Sequence, residues 1–420
     1  MNKAGFTSVV LLSLAAVGAA AEGAEPFRVV LTSSKDGTNR PELKVHSRNA
    51  TPNCPLEWLV TKRTLHGGRQ EGVEVVTIDN GPLQIDVCPT RGMSILQVRS
   101  KELILKWDSP VKETVHPQFI NLNGRGGLGW LEGFNEFLCR CGLENNGHPG
   151  TDRFINNVGE EAEMELTLHG RIANIPAGDV ELVVDQAEPF AIRLRGQVNE
   201  RFLFGPKLEL HTELVVLPGK TSFVINDEIR NTGAQDQEFQ VLYHANFGTP
   251  LLEEGARVIA PVKKITPFND RAAEGMDEWD VYGKPQAGFV EQVYLLELHG
   301  DHDNRTSAVL VNRNSDLAAS VSWSLEQLPY LTVWKNTGAI EDGYVTGIEP
   351  GTNYPQNRRL EREAGRVPKL APGAAHRASL TFDLFVGGRE VEQAVRTVRR
   401  IATANEGLDD PRQVQKIEKR

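Results

Sequence analysis

The chain has 420 residues with 46 Lys+Arg against 56 Asp+Glu, a formal net charge of −10, and 40% hydrophobic content. An acidic balance argues against a nucleic-acid groove, which needs a basic surplus to track phosphates. Its apolar content excludes disorder over most of the length, and the 39 Gly and 23 Pro punctuate the chain as many short strands require.

Residues 1–21 read as a secretory signal peptide. Lys3 supplies the positive start, Val9 to Leu14 the apolar stretch and Ala19-Ala20-Ala21 the small-residue cleavage site. The apolar run is shorter than the ~20 residues a membrane span requires. Cleavage after Ala21 removes one charge, that of Lys3, and predicts an exported protein, periplasmic or secreted, without a membrane span. Residues 22–57 are weakly patterned and read as an N-terminal extension or peripheral strands.

From Val73 onward the dominant signal is alternation. Leu208, Leu210, Leu214 and Val216 recur at period two, then Phe223, Ile225, Asp227 and Ile229, then Phe239, Val241 and Tyr243, and finally Leu380, Phe382 and Leu384. Period two with short turns such as Asn80-Gly81-Pro82 and Asn231-Thr232-Gly233 predicts half-buried antiparallel strands. The fold class is therefore all-β, a large antiparallel β-sandwich over 58–387. Val391, Ala394, Val395, Val398 and Ile401 switch to helical spacing, predicting a C-terminal helix over 388–404 against the sandwich edge, with a charged tail at 405–420. Four cysteines, Cys54, Cys88, Cys139 and Cys141, are too few for a disulfide framework. Cys139 and Cys141 fall on one face of a strand; without a second Cys or His pair nearby they read as core thiols rather than a zinc site.

Polar clusters inside apolar strands mark the candidate chemistry. In Cys88-Pro89-Thr90-Arg91-Gly92-Met93, a Gly beside Arg suggests a tight turn presenting a guanidinium, to a substrate or to a structural ion pair. The run Gly124-Arg125-Gly126-Gly127-Leu128-Gly129-Trp130 lacks the Gly-Lys-Ser/Thr ending of a phosphate loop; Trp130 and Phe134 beyond it fit either a sugar platform or core filling. His169 stands in Leu-His-Gly-Arg, followed by Arg171, and His244 in Tyr-His-Ala-Asn-Phe-Gly, followed by Asn246. Burying an imidazole without a partner is costly, and His titrates near neutrality. Trp334 and Lys335 follow in Thr-Val-Trp-Lys-Asn, and Glu349 lies in Gly-Ile-Glu-Pro-Gly-Thr-Asn-Tyr-Pro. His244 and Glu349 are candidates for an acid and base pair tuned by burial.

Those motifs, Pro-Thr-Arg-Gly-Met (89–93), Leu-His-Gly-Arg (168–171), Tyr-His-Ala-Asn-Phe-Gly (243–248) and Gly-Ile-Glu-Pro-Gly-Thr-Asn-Tyr-Pro (347–355), resemble the DUF4432 branch of the aldose 1-epimerase, or galactose mutarotase-like, superfamily. The resemblance runs in order from Trp58 to Phe385. It implies a sandwich with a sugar cleft on one sheet, a small carbohydrate as ligand, and no metal or organic cofactor. His244 is similar to the family acid that protonates the ring oxygen, Glu349 to its base, and His169 to its sugar-binding histidine. Arg91, Arg171, Asn246, Trp334 and Lys335 are further substrate-binding candidates. The expected reaction is anomer interconversion with a bell-shaped pH profile. Two alternatives stay open: a sugar-binding module without turnover, and proton chemistry on an oxidised or acidic sugar clamped by Arg91 and Arg171.

Overall fold

The computed structural model describes residues 25–405; the expected signal peptide and all but the first residue of the charged tail lie outside that range. Two large antiparallel sheets of twelve and ten strands face each other. The ten-stranded sheet has Ser222–Asn231 near its centre, flanked by Lys207–Val216 and Ala375–Val386. The twelve-stranded sheet has, side by side, Gln292–Leu298, Tyr330–Thr337, Tyr344–Gly351, Gln240–Phe247 and Leu138–Leu143. Long apolar runs of period two build the layer between them. Leu208, Leu210, Leu214, Phe223, Ile225, Ile229, Tyr243, Leu380 and Phe382 all belong to that core, as the alternation predicts.

Residues 25–57 are more integrated than an appendage. Phe27–Ser33 pairs with Asp179–Val184 in the ten-stranded sheet, and Leu43–His46 closes the edge of the twelve-stranded sheet. The C-terminal helix Gly388–Asn405 lays Val391 and Val398 on Val309, Val311 and Ala318, covering the outer face of one end of the ten-stranded sheet. No helix among the described residues is long and apolar enough to cross a membrane.

One departure from simple alternation positions the site. In Gln240–Phe247 all eight residues are buried. Val241, Tyr243, Ala245 and Phe247 face the other sheet, while Leu242 joins a second apolar cluster on the opposite face with Trp107, Trp130, Phe134, Cys139, Cys141, Leu168 and Val345. Loops therefore roof the outer face of this sheet, and the polar residues under that roof have been removed from water.

Candidate active site

Strand register assembles the central pair. His244 lies opposite Cys139 on one neighbouring strand. On the other side Ala245 pairs with Ile348, so the next position brings His244 beside Glu349, and Glu349 is in turn opposite Thr332. Directly paired residues of an antiparallel sheet point to the same face. His244 Nε2 and Glu349 Oε1 approach to 3.3 Å, and both side chains are almost fully buried. Gly347 is required here: a Cβ at that position would collide with Glu349 Oε1.

The roof comes from the glycine-rich segment, in which Arg125, Gly126 and Gly127 take left-handed backbone positions ahead of the helical turn Gly129–Gly133. It delivers Phe134 at 5.2 Å from the His244 ring and Trp130 at 6.0 Å, measured between ring centroids. Trp334 stands at 5.5 Å and His169 at 5.2 Å from the same ring. His169 occupies a left-handed backbone position, φ 57°, in the turn Leu168-His169-Gly170. There its Nδ1 is 2.8 Å from the Asn146 carbonyl, which can only accept, so the proton is on Nδ1 and Nε2 is left free.

Burial dominates the electrostatics. It pushes the Glu349 carboxyl well above the usual carboxylate range, and the negative charge of Glu291 pushes the same way. It holds His244 well below the usual imidazole range, helped by the nearby His169 and opposed by the hydrogen bond to Asn246. His169 is lowered to about 4, chiefly by burial. Of the charges acting on His244 and Glu349, none is an Arg or a Lys.

Three buried polar atoms of this region have no hydrogen-bond partner: Glu349 Oε1, Thr332 Oγ1 and Trp130 Nε1. The 3.3 Å approach of His244 to Glu349 is thus a close contact and not a formed hydrogen bond. Each orphaned buried group costs about 1–3 kcal/mol, and a ligand bearing several hydroxyls is the kind of molecule that satisfies them. Among the described residues no group of three or more His, Cys, Asp or Glu is arranged to hold a metal ion. All four cysteines are free thiols, and burial raises those of Cys139 and Cys141 beneath the site.

His244, Glu349, His169 and Trp334 therefore come together, as the sequence suggests. Three other candidates do not reach the His244 and Glu349 pair, and a fourth, Asn246, meets it only from behind. Arg91 is fully buried behind it and bound to Glu136, Asn174 and the Gly133 carbonyl. Arg171 points outward, its guanidinium 5.0 Å over the Phe202 ring. Lys335 follows Trp334 on the strand and so faces the other way, donating to the Glu278 and Val281 carbonyls at 2.7 Å each. Asn246 is completely buried and holds His244 rather than a ligand. Sequence reading missed Thr332, His148 and Glu291. Glu291 accepts from Trp334 Nε1 at 2.8 Å, and His148 stacks on Phe268 with centroids 5.1 Å apart. The polar run Asn145-Asn146-Gly147-His148-Pro149 carried a usable turn signal; Glu291, exposed before its strand, carried none.

A family model described as "Domain of unknown function (DUF4432)" matches residues 70–384. No curated protein matches. A Klebsiella pneumoniae crystal structure, provisionally described as that of an aldose 1-epimerase, is 40% identical, with 90% of this chain and 96% of that one covered and a TM-score of 0.85. A galactose mutarotase-like protein from Clostridium acetobutylicum is 13% identical over 79% of this chain and 99% of its own, TM-score 0.53. A galactose mutarotase related enzyme from Lactobacillus acidophilus is 17% identical over 75% and 99%, TM-score 0.50. The last two show a shared fold alone.

Proposed function

Because the chain belongs to the DUF4432 family, a branch of the galactose mutarotase-like superfamily, we propose that it interconverts the anomers of a free, uncharged monosaccharide by acid–base ring opening. The observation that carries the reading is the pair itself: an unpartnered Glu349 Oε1 at 3.3 Å from His244 Nε2, inside an aromatic enclosure.

The chemistry needs one proton removed from the C1 hydroxyl and one delivered to the ring oxygen. Glu349 takes the first while His244 gives the second; the bond from C1 to the ring oxygen breaks and the open-chain aldehyde forms. Rotation about the C1–C2 bond and reversal of both transfers yields the other anomer. Neutral Glu349 with neutral His244 contains the same number of protons as carboxylate with imidazolium. Burial of both side chains favours the neutral form. Sugar hydroxyls that donate to the Glu349 carboxylate replace its lost hydration and favour the charged form. The sugar presents its C1 hydroxyl to Glu349 and its ring oxygen to His244, and ring opening returns the two groups to the form that burial prefers. His169 Nε2 and Thr332 Oγ1 are poised to bind hydroxyls, and Trp130, Phe134 and Trp334 to pack on the apolar face of the ring.

An acidic sugar fits less well. Arg91 and Arg171, which would have clamped its carboxylate, are spent elsewhere, and Glu291 adds negative charge.

The test is exchange between anomers followed by polarimetry or one-dimensional NMR across a panel of neutral sugars, uronates and sugar phosphates. Glu349→Gln is expected to lose about 10³-fold in kcat. Wild-type exchange in that variant, or sugar binding with no acceleration over spontaneous mutarotation in the native protein, would overturn the reading. The signal-peptide-like composition of residues 1–21 supports the further proposal that the protein is exported, checked by whether protein recovered from its host begins at Glu22.

A further inference from the structure

We propose that Arg91, Glu136 and Asn246 form a buried positioning relay that fixes the tautomer and aim of His244 and ties it to the roof of the site. The proposal rests on the reading of His244 as an acid, and it gives a role to the Pro-Thr-Arg-Gly-Met motif.

Asn246 Oδ1 lies 2.7 Å from His244 Nδ1. Its amide cannot be turned round, because Asn246 Nδ2 already donates to the carbonyls of Glu136, at 3.1 Å, and of His244, at 3.2 Å. The oxygen must face the ring, so Nδ1 carries a proton and Nε2 is the atom offered to Glu349 and to a sugar. Only one tautomer of neutral His244 satisfies this contact.

Beneath Asn246, the Glu136 carbonyl also accepts from Trp107 Nε1 at 3.1 Å. Its carboxylate binds Arg91 through Nε at 3.0 Å and Nη2 at 2.7 Å, with both side chains essentially inaccessible. The rest of the Arg91 guanidinium reaches the two other segments that build the site. Nη2 donates to the Gly133 carbonyl at 3.1 Å, at the end of the turn carrying Trp130, and Nη1 donates to Asn174, just beyond the His169 turn. The motif around Arg91 is made for this. Pro89–Arg91 is a single helical turn ended by Gly92 at φ 59°, where a Cβ would strike the Ile172 carbonyl; a Cβ at Gly133 would strike the guanidinium. One planar fork thus joins Glu136, whose carbonyl holds Asn246, to the aromatic roof and to the segment after the histidine turn. A lysine, with one point of charge, holds fewer of these acceptors at once.

The relay is tested on the full-length protein labelled with ¹⁵N, using two-bond correlations of the His244 ring assigned by difference from His244→Gln. Wild type is expected to show protonated Nδ1 and unprotonated Nε2. Arg91→Lys is expected to mix the tautomers and lower kcat about 10²-fold with KM changed less than threefold. Asn246→Asp has the same shape but loses the two Nδ2 donations, so its folding is verified by near-ultraviolet circular dichroism; in the folded variant the carboxylate keeps the proton on Nδ1 and moves the His244 limb of the pH profile upward. A proton on Nε2 in wild type, an unaltered ring signature and kcat in Arg91→Lys, or an unmoved pH limb in Asn246→Asp each overturns the relay. Absence of anomer exchange in a wild type with Nδ1 protonated overturns instead the proposed function and leaves the relay standing.

Discussion

Tyr243 and His244 are neighbours on one strand, and they sit in two polar clusters on opposite faces of the same sheet. On the inner face, Tyr243 donates to Asp227 of the other sheet at 2.9 Å, and Arg140 binds both oxygens of that carboxylate. Arg140 also reaches Thr212 at 2.7 Å and the Met93 carbonyl at 3.1 Å. Every oxygen of Asp227 is occupied, and the ion pair is saturated. On the outer face, Glu349 is as deeply buried but has no cation, and its Oε1 has no partner. The saturated groups of the first cluster hold two sheets in one register, whereas the unpaired Glu349 Oε1 and Thr332 Oγ1 of the second are free to meet a ligand. Burial alone distinguishes neither, and the count of satisfied lone pairs separates them.

The sharpest way to break this contrast is to remove a carboxylate from each cluster. Asp227→Ala strands the Arg140 guanidinium and the Tyr243 hydroxyl between the sheets and is expected to cost about 3–5 kcal/mol of stability, read by urea denaturation. Glu349→Gln, tested above for its loss of turnover, is expected to cost less than about 1 kcal/mol, because burial already disfavours the charged form of the carboxyl it replaces. Equal losses of stability from the two changes would show that both clusters are structural.

Glu200 is intermediate and sharpens the comparison through pH. Its carboxylate accepts from the backbone N–H groups of Leu143, at 2.8 Å, and Glu144, at 3.3 Å, beneath the loop whose Asn146 holds His169. Burial nevertheless pushes it up to about 7 from an ordinary 4.5, the backbone bonds opposing and the Glu144 charge adding. Below pH 4.5 the carboxyl is protonated in both folded and unfolded chains. As pH rises toward 7 the unfolded chain releases this proton while the folded one keeps it, so stability falls across that window, by about 3 kcal/mol in all. Glu200→Gln is expected to remove most of that slope in unfolding free energies measured from pH 4.5 to 8; an unchanged slope would assign the titration to other groups.

How far the sequence reveals this depends on which faces a strand buries. Ala375–Val386 alternates because one face meets the other sheet and the other meets water, and Lys207–Val216 does the same from His211 to Leu214, so period two shows in their residues. Gln240–Phe247 is covered on both faces; its alternation survives only on the Val241, Tyr243 side, and no local pattern announces the roof made by residues 124–134. His244, Glu349 and His169 stand out because polar residues in apolar strands are conspicuous. Arg91 stands out equally, and its motif does not reveal which way the guanidinium turns: the acceptors that draw it inward, Glu136 and Asn174, lie 45 and 83 residues further on. Thr332 is invisible for the opposite reason, since a threonine in a strand is ordinary until its hydroxyl is found without a partner.

The smallest expected effects come from Trp334 and Lys335, adjacent on a strand and therefore on opposite faces. Trp334 closes the box around His244 and is held by Glu291, so Trp334→Ala removes a stacking surface and is expected to weaken sugar binding about tenfold, measured by calorimetry. Lys335 is buried on the inner side over the Tyr282 ring, and its ammonium is lowered to about 8 chiefly by that burial. Lys335→Met keeps the stem's packing and leaves two carbonyls without a donor, which costs about 1–2 kcal/mol of stability. Turnover and sugar affinity should remain within about twofold of wild type, since no atom of Lys335 faces His244; a tenfold loss of either in a folded Lys335→Met protein would mean that the two faces of this strand are coupled, and the separation of structural from functional polar groups would fail at its simplest case.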